Sequence, residues 1–216
     1  HASNVALHVL NSVAVLALLT PLFSLAPALL ATLLFAVHPV HVESVALATN
    51  RTDLLACLFV LASTLAWRRA MAGGHGRLPR WRWFGLSLAA FLLGGLSKEA
   101  ALVLPAVLLF WGLFEPGEQR GPAARPLRGV LPWLLGWGVV VVSILVLRHA
   151  LGVGFGPGAA PGTRSTVVAG LSAFAGLWGT YARLLIWPWP LKAWYGMNAI
   201  TADGVTFLWL AAIAAL

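Results

Sequence analysis

Two stretches of this chain, Val5 to Phe23 and Leu131 to Leu147, contain no Asp, Glu, Lys or Arg. A helix that crosses a bilayer needs roughly 20 mainly apolar residues, and such runs supply them. Of the 216 residues 60% are apolar and 9% are charged, whereas an ordinary soluble domain has about 25% charged residues. In water the polar surface would be too small to cover the apolar side chains. The sequence therefore predicts an all-α fold, a polytopic bundle of transmembrane helices.

The net charge of +8 does not indicate nucleic acid. The cations sit in short connectors between apolar segments, as flanking charges do around membrane helices. Cys57 is the single cysteine, so no internal disulfide can form and redox says nothing about compartment. Eleven Trp residues, many beside Pro or Arg, suit an aromatic belt at the membrane interface. The chain begins at His1 without Met and stops inside the apolar run Val205–Leu216. It reads as an excerpt of a single membrane domain, 1–216, with flanking parts on both sides.

Apolar segments fall at 4–22, 23–37, 53–67, 83–97, 100–114, 130–147, 166–187 and 204–216. Pro21 and Pro27 bracket the first turn, which predicts a tight helical hairpin. Residues 68–82 carry Arg68, Arg69, Arg77, Arg80 and Arg82 and no acid, which marks a cytoplasmic connector. Alternation puts 115–128, with Arg120, Arg125 and Arg128, on the same side. The connectors at 38–52, 97–99 and 148–165 then lie outside. Segment 166–187 ends in Trp187-Pro188-Trp189-Pro190 and carries Arg183, so it fits a span or an outer interfacial helix equally well.

That orientation gathers the ionisable and polar groups at one face: His1, Asn4, His38, His41, Glu43, Asn50, Arg51, Asp53, Ser97, Lys98, Glu99, Arg148 and His149. Ionisable groups at membrane depth are costly and usually paired or functional. In the run from His38 to Ser44, two imidazoles and the Glu43 carboxylate allow a metal, contacts to substrate or a polar cap. No further His or Cys follows at ligand spacing, so neither a metal nor any other cofactor is expected. Asp53 can pair with Arg51 or favour a helix N-terminus. Arg51 suits an anionic group such as phosphate. Ser97-Lys98-Glu99 is either a salt-bridged turn or the source of a second phosphate contact, Lys98. Arg183 is a third candidate cation. His8 and Asn11, three residues apart inside the first segment, predict a helix-to-helix hydrogen bond.

Several blocks together resemble the membrane half of the transmembrane and tetratricopeptide-repeat O-mannosyltransferases. They are His1-x-x-Asn4-x-x-x-His8, the run Phe35–Ala46, Asn50-Arg51-Thr52-Asp53-Leu54-Leu55, Ser97-Lys98-Glu99, and Tyr181-Ala182-Arg183-Leu184-Leu185-Ile186-Trp187-Pro188. The resemblance implies a GT-C fold and transfer of a sugar from a polyprenyl-phosphate carrier to a protein or glycan acceptor at the outer face. It implies a repeat domain beyond this excerpt and an outer-side helix at 166–187. The family's usual catalytic carboxylate, in the first outer loop, would precede His1. An acid often found after the Leu-Leu-x-x-Pro stretch is replaced here by Leu191-Lys192-Ala193-Trp194-Tyr195. Glu43 is thus only a fallback base. Expected substrate contacts are His38, His41, Arg51, Asp53, Lys98, Glu99 and Arg183, in a bacterial inner membrane with the site facing the periplasm. The partners would be the lipid-linked donor, the acceptor and the bilayer, with no nucleic acid. The alternatives are a transporter or flippase, in which polar groups near the midplane and internal repeats are expected, and a structural subunit without chemistry.

Overall fold

Helix α1 (Ala2–Leu19) is followed by α2 (Leu25–Val37), and the two form the hairpin that the prolines predict. Pro21 stands just past the end of α1, and Pro27 lies in the first turn of α2, where no backbone N–H is needed. Helix α2 stops before His38, whose extended backbone (φ −64°, ψ 127°) is the conformation that a following proline enforces. A 3-10 turn, Pro39–His41, leads into the short helix α3 (Val42–Ala46), and a second such turn, Ala48–Asn50, leads into α4 (Arg51–Met71). Then come α5 (Arg80–Ser97), a 3-10 turn at Glu99–Val103, α6 (Leu104–Phe114) and α7 (Leu131–Ala150). Residues 179–186 form a further helix. This is a computed structural model that describes residues 1–72, 79–114, 131–152 and 179–186. Among these residues all regular structure is helical.

The chain divides into two units, one of His1–Val37 with Ser44–Gly156, the other of His38–Glu43 with Pro157–Leu216. In the first unit, side-chain bonds reveal the helix directions. Arg51 bonds to Asn4, Asn11 to the carbonyl of Leu54, and Arg68 to that of Leu18. Helices α1 and α4 therefore run parallel. Helices α4 and α5 are antiparallel: Asp53 meets Lys98 at one end, and Ser63 and Ser87 bond reciprocally at mid-length. Helix α7 runs parallel to α5, with Gly95 against Ile144 and Phe84 against Trp133.

These directions gather the starts of α1 and α4 and the ends of α5 and α7 into one polar end. The opposite, arginine end holds Arg68, Arg69, Arg80 and Arg82 with Trp81, Trp83 and Trp111. The tryptophans stack against the cations, Arg68 over Trp111 at 5.5 Å, Arg69 over Trp83 at 5.7 Å and Arg82 over Trp81 at 5.2 Å. A core of Trp67, Ala70, Phe91, Leu104, Leu108, Trp133 and Trp137 ties α4 to α7 together. Outward-facing Val139, Val142 and Val146 on α7 are exposed, an arrangement for lipid and not for water.

Helices α1 and α7, and the stretch Ala48–Met71, are long and apolar enough to cross a membrane. The protein is a multi-pass membrane protein. The expected hydrogen bonds of His8 and Asn11 are made: His8 Nε2 lies 2.9 Å from the Ala36 carbonyl and Asn11 Nδ2 donates to Leu54 at 3.1 Å. Both join neighbouring helices by capturing a backbone carbonyl. The expectations for 115–128, for 166–178 and for everything after residue 186 lie outside the described residues.

Candidate functional site

Asn4, in the first turn of α1, is fully buried although it is polar. Its Nδ2 donates towards the carbonyls of Ser44 (3.3 Å), Val45 (3.4 Å) and Leu47 (2.9 Å). These carbonyls belong to the end of the short helix α3 and to the residue that follows it, where a helix leaves its last carbonyls without partners of its own. The same amide accepts, at Oδ1, a hydrogen bond of 3.3 Å from Arg51 Nε. One buried amide thus fixes both the connector and the first side chain of α4.

Arg51 is exposed. Its Nε is anchored, and among the described residues its terminal nitrogens have no hydrogen-bond partner. A guanidinium held by one edge keeps its remaining donors available for a two-pronged contact with an anion. Arg51 does not pair with Asp53, one of the two roles open to that carboxylate in the sequence. Asp53 instead forms an ion pair with Lys98 across α4 and α5. Two residues apart on a helix, Arg51 and Asp53 do not face each other, whereas the antiparallel register sets Lys98 opposite Asp53. Asp53 also occupies the first turn of α4, where negative charge is favoured.

Ser97-Lys98-Glu99 is not an internally bridged turn. Lys98 is extended (φ −157°, ψ 139°), which sends the neighbouring side chains to different partners. Lys98 goes to Asp53, and Glu99 accepts from Arg148 at the end of α7 at 3.4 Å. Glu99 is 44% exposed and Arg148 only 18%, so the carboxylate is the accessible member of that pair. The polar end therefore presents one anchored, exposed cation beside two acid–base pairs. Sequence reasoning placed Asn4 and Arg148 at this face without giving either a role. An Asn in the first turn of an otherwise apolar helix was the available signal.

The second unit holds the other candidates. His38 Nδ1 accepts from the backbone of Val40 at 3.2 Å, and Nε2 lies 3.2 Å from the Leu185 carbonyl. That pattern assigns the proton to Nε2, which donates to the carbonyl and joins the Pro39–His41 turn to helix 179–186. The rings of His38 and His41 meet edge to face with centroids 6.3 Å apart. His41 is half-buried, Glu43 is exposed, and Arg183 is half-buried next to the buried Leu184. No group of three or more His, Cys, Asp or Glu with metal-binding geometry occurs among the described residues.

Residues 3–149 match the sequence model of the family described as dolichyl-phosphate-mannose-protein mannosyltransferase. Protein O-mannosyl-transferase TMTC1 of Mus musculus is 35% identical over 127 residues, which is 56% of this chain and 14% of that protein. Protein O-mannosyl-transferase TMTC4 of Mus musculus is 36% identical over 121 residues, 48% of this chain and 16% of that protein. Protein O-mannosyl-transferase Tmtc2 of Drosophila melanogaster is 38% identical over 97 residues, 44% of this chain and 10% of that protein. The chain thus spans less than a fifth of the length of these curated relatives. No solved structure matches it significantly. The family match runs from the first turn of α1 to the last turn of α7 and takes in Asn4, Arg51, Asp53, Lys98, Glu99 and Arg148. The chain belongs to the dolichyl-phosphate-mannose-protein mannosyltransferase family.

Proposed function

We propose that the polar end binds the phosphate of a polyprenyl-phosphate-linked sugar, and that the protein transfers this sugar to a protein or glycan acceptor. The observation that carries the reading is the anchored, exposed guanidinium of Arg51. As the glycosidic bond breaks, negative charge grows on the departing phosphate. A cation already fixed in place stabilises that charge without reorganising at the moment of reaction. Arg51 is the chief phosphate contact in this account. Lys98 is a weaker one, because Asp53 already balances its charge. Glu99, exposed beside Arg148, contacts the sugar or the acceptor. In the second unit, His41 and Arg183 stay candidate substrate contacts in their own right, and His38 shapes its turn. The acceptor hydroxyl must lose a proton to a base, and Glu43, which is exposed, is the fallback within this chain.

The arginine end supports an orientation with the polar end outside, since basic residues favour the cytoplasmic side. In a bacterial inner membrane the polar end would face the periplasm. The test uses membranes containing the full-length protein and a polyprenyl-phosphate-linked mannose. Sugar in the acceptor together with released polyprenyl phosphate supports the reading. Movement of intact lipid-linked sugar across the bilayer without release would show a transporter instead.

A further inference from the structure

Gly94 and Gly95 lie buried in the last turn of α5, just before the residues that form the two ion pairs. They face different neighbours. A Cβ on Gly94 would stand 3.3 Å from Cβ of Ala101 and 3.4 Å from Cβ of Phe59 on α4. One on Gly95 would stand 3.3 Å from Cδ2 of Leu102 and would overlap Cδ1 of Ile144 on α7. The bare backbone of α5 thus lets α4, α7 and the 3-10 turn Glu99–Val103 close in on it together, as small residues allow between membrane helices.

The contact on α7 adjoins an ion pair. Arg148 follows Ile144 by one helical turn, so the two share a face of α7. Glu99 opens the 3-10 turn whose Leu102 packs at Gly95. The Glu99–Arg148 pair therefore lies next to the Gly95–Ile144 contact, on its polar-end side. At 3.4 Å, with Glu99 44% exposed, that pair is too long and too wet to hold α5 against α7 by itself. The packing beside it, where Ile144 is 1% exposed, does so. We propose that Gly95 and Ile144 are positioning residues for Glu99, setting its carboxylate where it meets the sugar or the acceptor. The inference rests on the proposed sugar transfer and adds to it the residues that place one of its contacts.

The test is the kcat/KM of transfer by the full-length protein in membranes, per folded molecule. A misplacement of about 1 Å can cost on the order of 100-fold in rate, so Gly95→Ala should lose roughly tenfold or more. Val lacks the Cδ1 atom that a new Cβ would strike, so adding Ile144→Val to Gly95→Ala should recover most of the loss. Gly138→Ala, on α7 with open space around it, should transfer normally. In a Glu99→Gln background Gly95→Ala should cost little more, because both act through the same carboxylate. A glycine needed only for packing would instead give losses that multiply, and that result would overturn the proposal. Undiminished transfer by Gly95→Ala would overturn it too, as would a loss that Ile144→Val leaves unrelieved. Each of these leaves the transfer reading standing, whereas no transfer by the unmodified protein would remove both.

Discussion

Arg51 donates its Nε–H to Oδ1 of Asn4 at 3.3 Å, and Asn4 is fully buried. A rigid partner therefore sets where the exposed guanidinium stands. Asn4→Ala would strip Arg51 of its anchor and leave the carbonyls of Ser44, Val45 and Leu47 without their shared donor. Leaving buried polar groups unmet costs about 1–3 kcal/mol. The expected outcome is a lower melting temperature in detergent and sugar transfer reduced at least as far as in Arg51→Lys. Unchanged melting and unchanged transfer would show that Asn4 holds nothing in place.

The ion pair of Lys98 and Asp53 should behave as a unit. Lys98→Gln leaves the Asp53 carboxylate facing the proposed phosphate position alone, so it should impair transfer strongly. Asp53→Asn combined with Lys98→Gln removes that repulsion and should restore part of the rate. A double-mutant cycle on the transfer rate measures the coupling. Independent, multiplying effects would contradict the pairing. The cost to stability should stay near 0.2–1 kcal/mol, since both groups are partly exposed.

Much of this arrangement was legible in the sequence, for reasons that particular residues make plain. Charge-free runs and the prolines at 21 and 27 defined helices and the first hairpin, because both are local effects. The arginines of 68–82 set one end apart, and the structure puts Arg68, Arg69, Arg80 and Arg82 at the end opposite Arg51, Asp53 and Lys98. Pairing was not legible. Asp53 lies two residues from Arg51 in the chain, yet it bonds to Lys98, because helix register decides which groups meet. The role of Asn4 was hidden for the same reason, as its partners are 40 or more residues away.

Close packing of α5 on α7 gives a prediction independent of chemistry. A Cβ at Gly95 would collide with Cδ1 of Ile144, which is 1% exposed, so the Ile144 side chain would have to shift within packed surroundings. Small residues let membrane helices approach in this way. Gly95→Ala should destabilise by about 1–3 kcal/mol, whereas Gly138→Ala, with nothing within 4 Å of the new atom, should not. Thermal unfolding of the two variants in one detergent makes the comparison, and equal melting would contradict the packing.

Orientation can be read with single cysteines in a protein carrying Cys57→Ala. Ala100 lies at the polar end and Ala72 at the arginine end, and both are exposed. Ala100→Cys should react with an impermeant thiol reagent in intact cells, and Ala72→Cys only after the membrane is opened. The reverse pattern would move the proposed site to the cytoplasmic face.

The central claim is tested most directly by the rate at which Arg51→Ala releases polyprenyl phosphate from a lipid-linked sugar, beside the unmodified protein. Removing one fixed electrostatic donor typically costs about 100- to 1000-fold in rate. The account predicts a loss of that order at normal protein levels in the membrane, with partial recovery in Arg51→Lys, whose ammonium keeps the charge but not the forked geometry. Release by Arg51→Ala at the unmodified rate would contradict it.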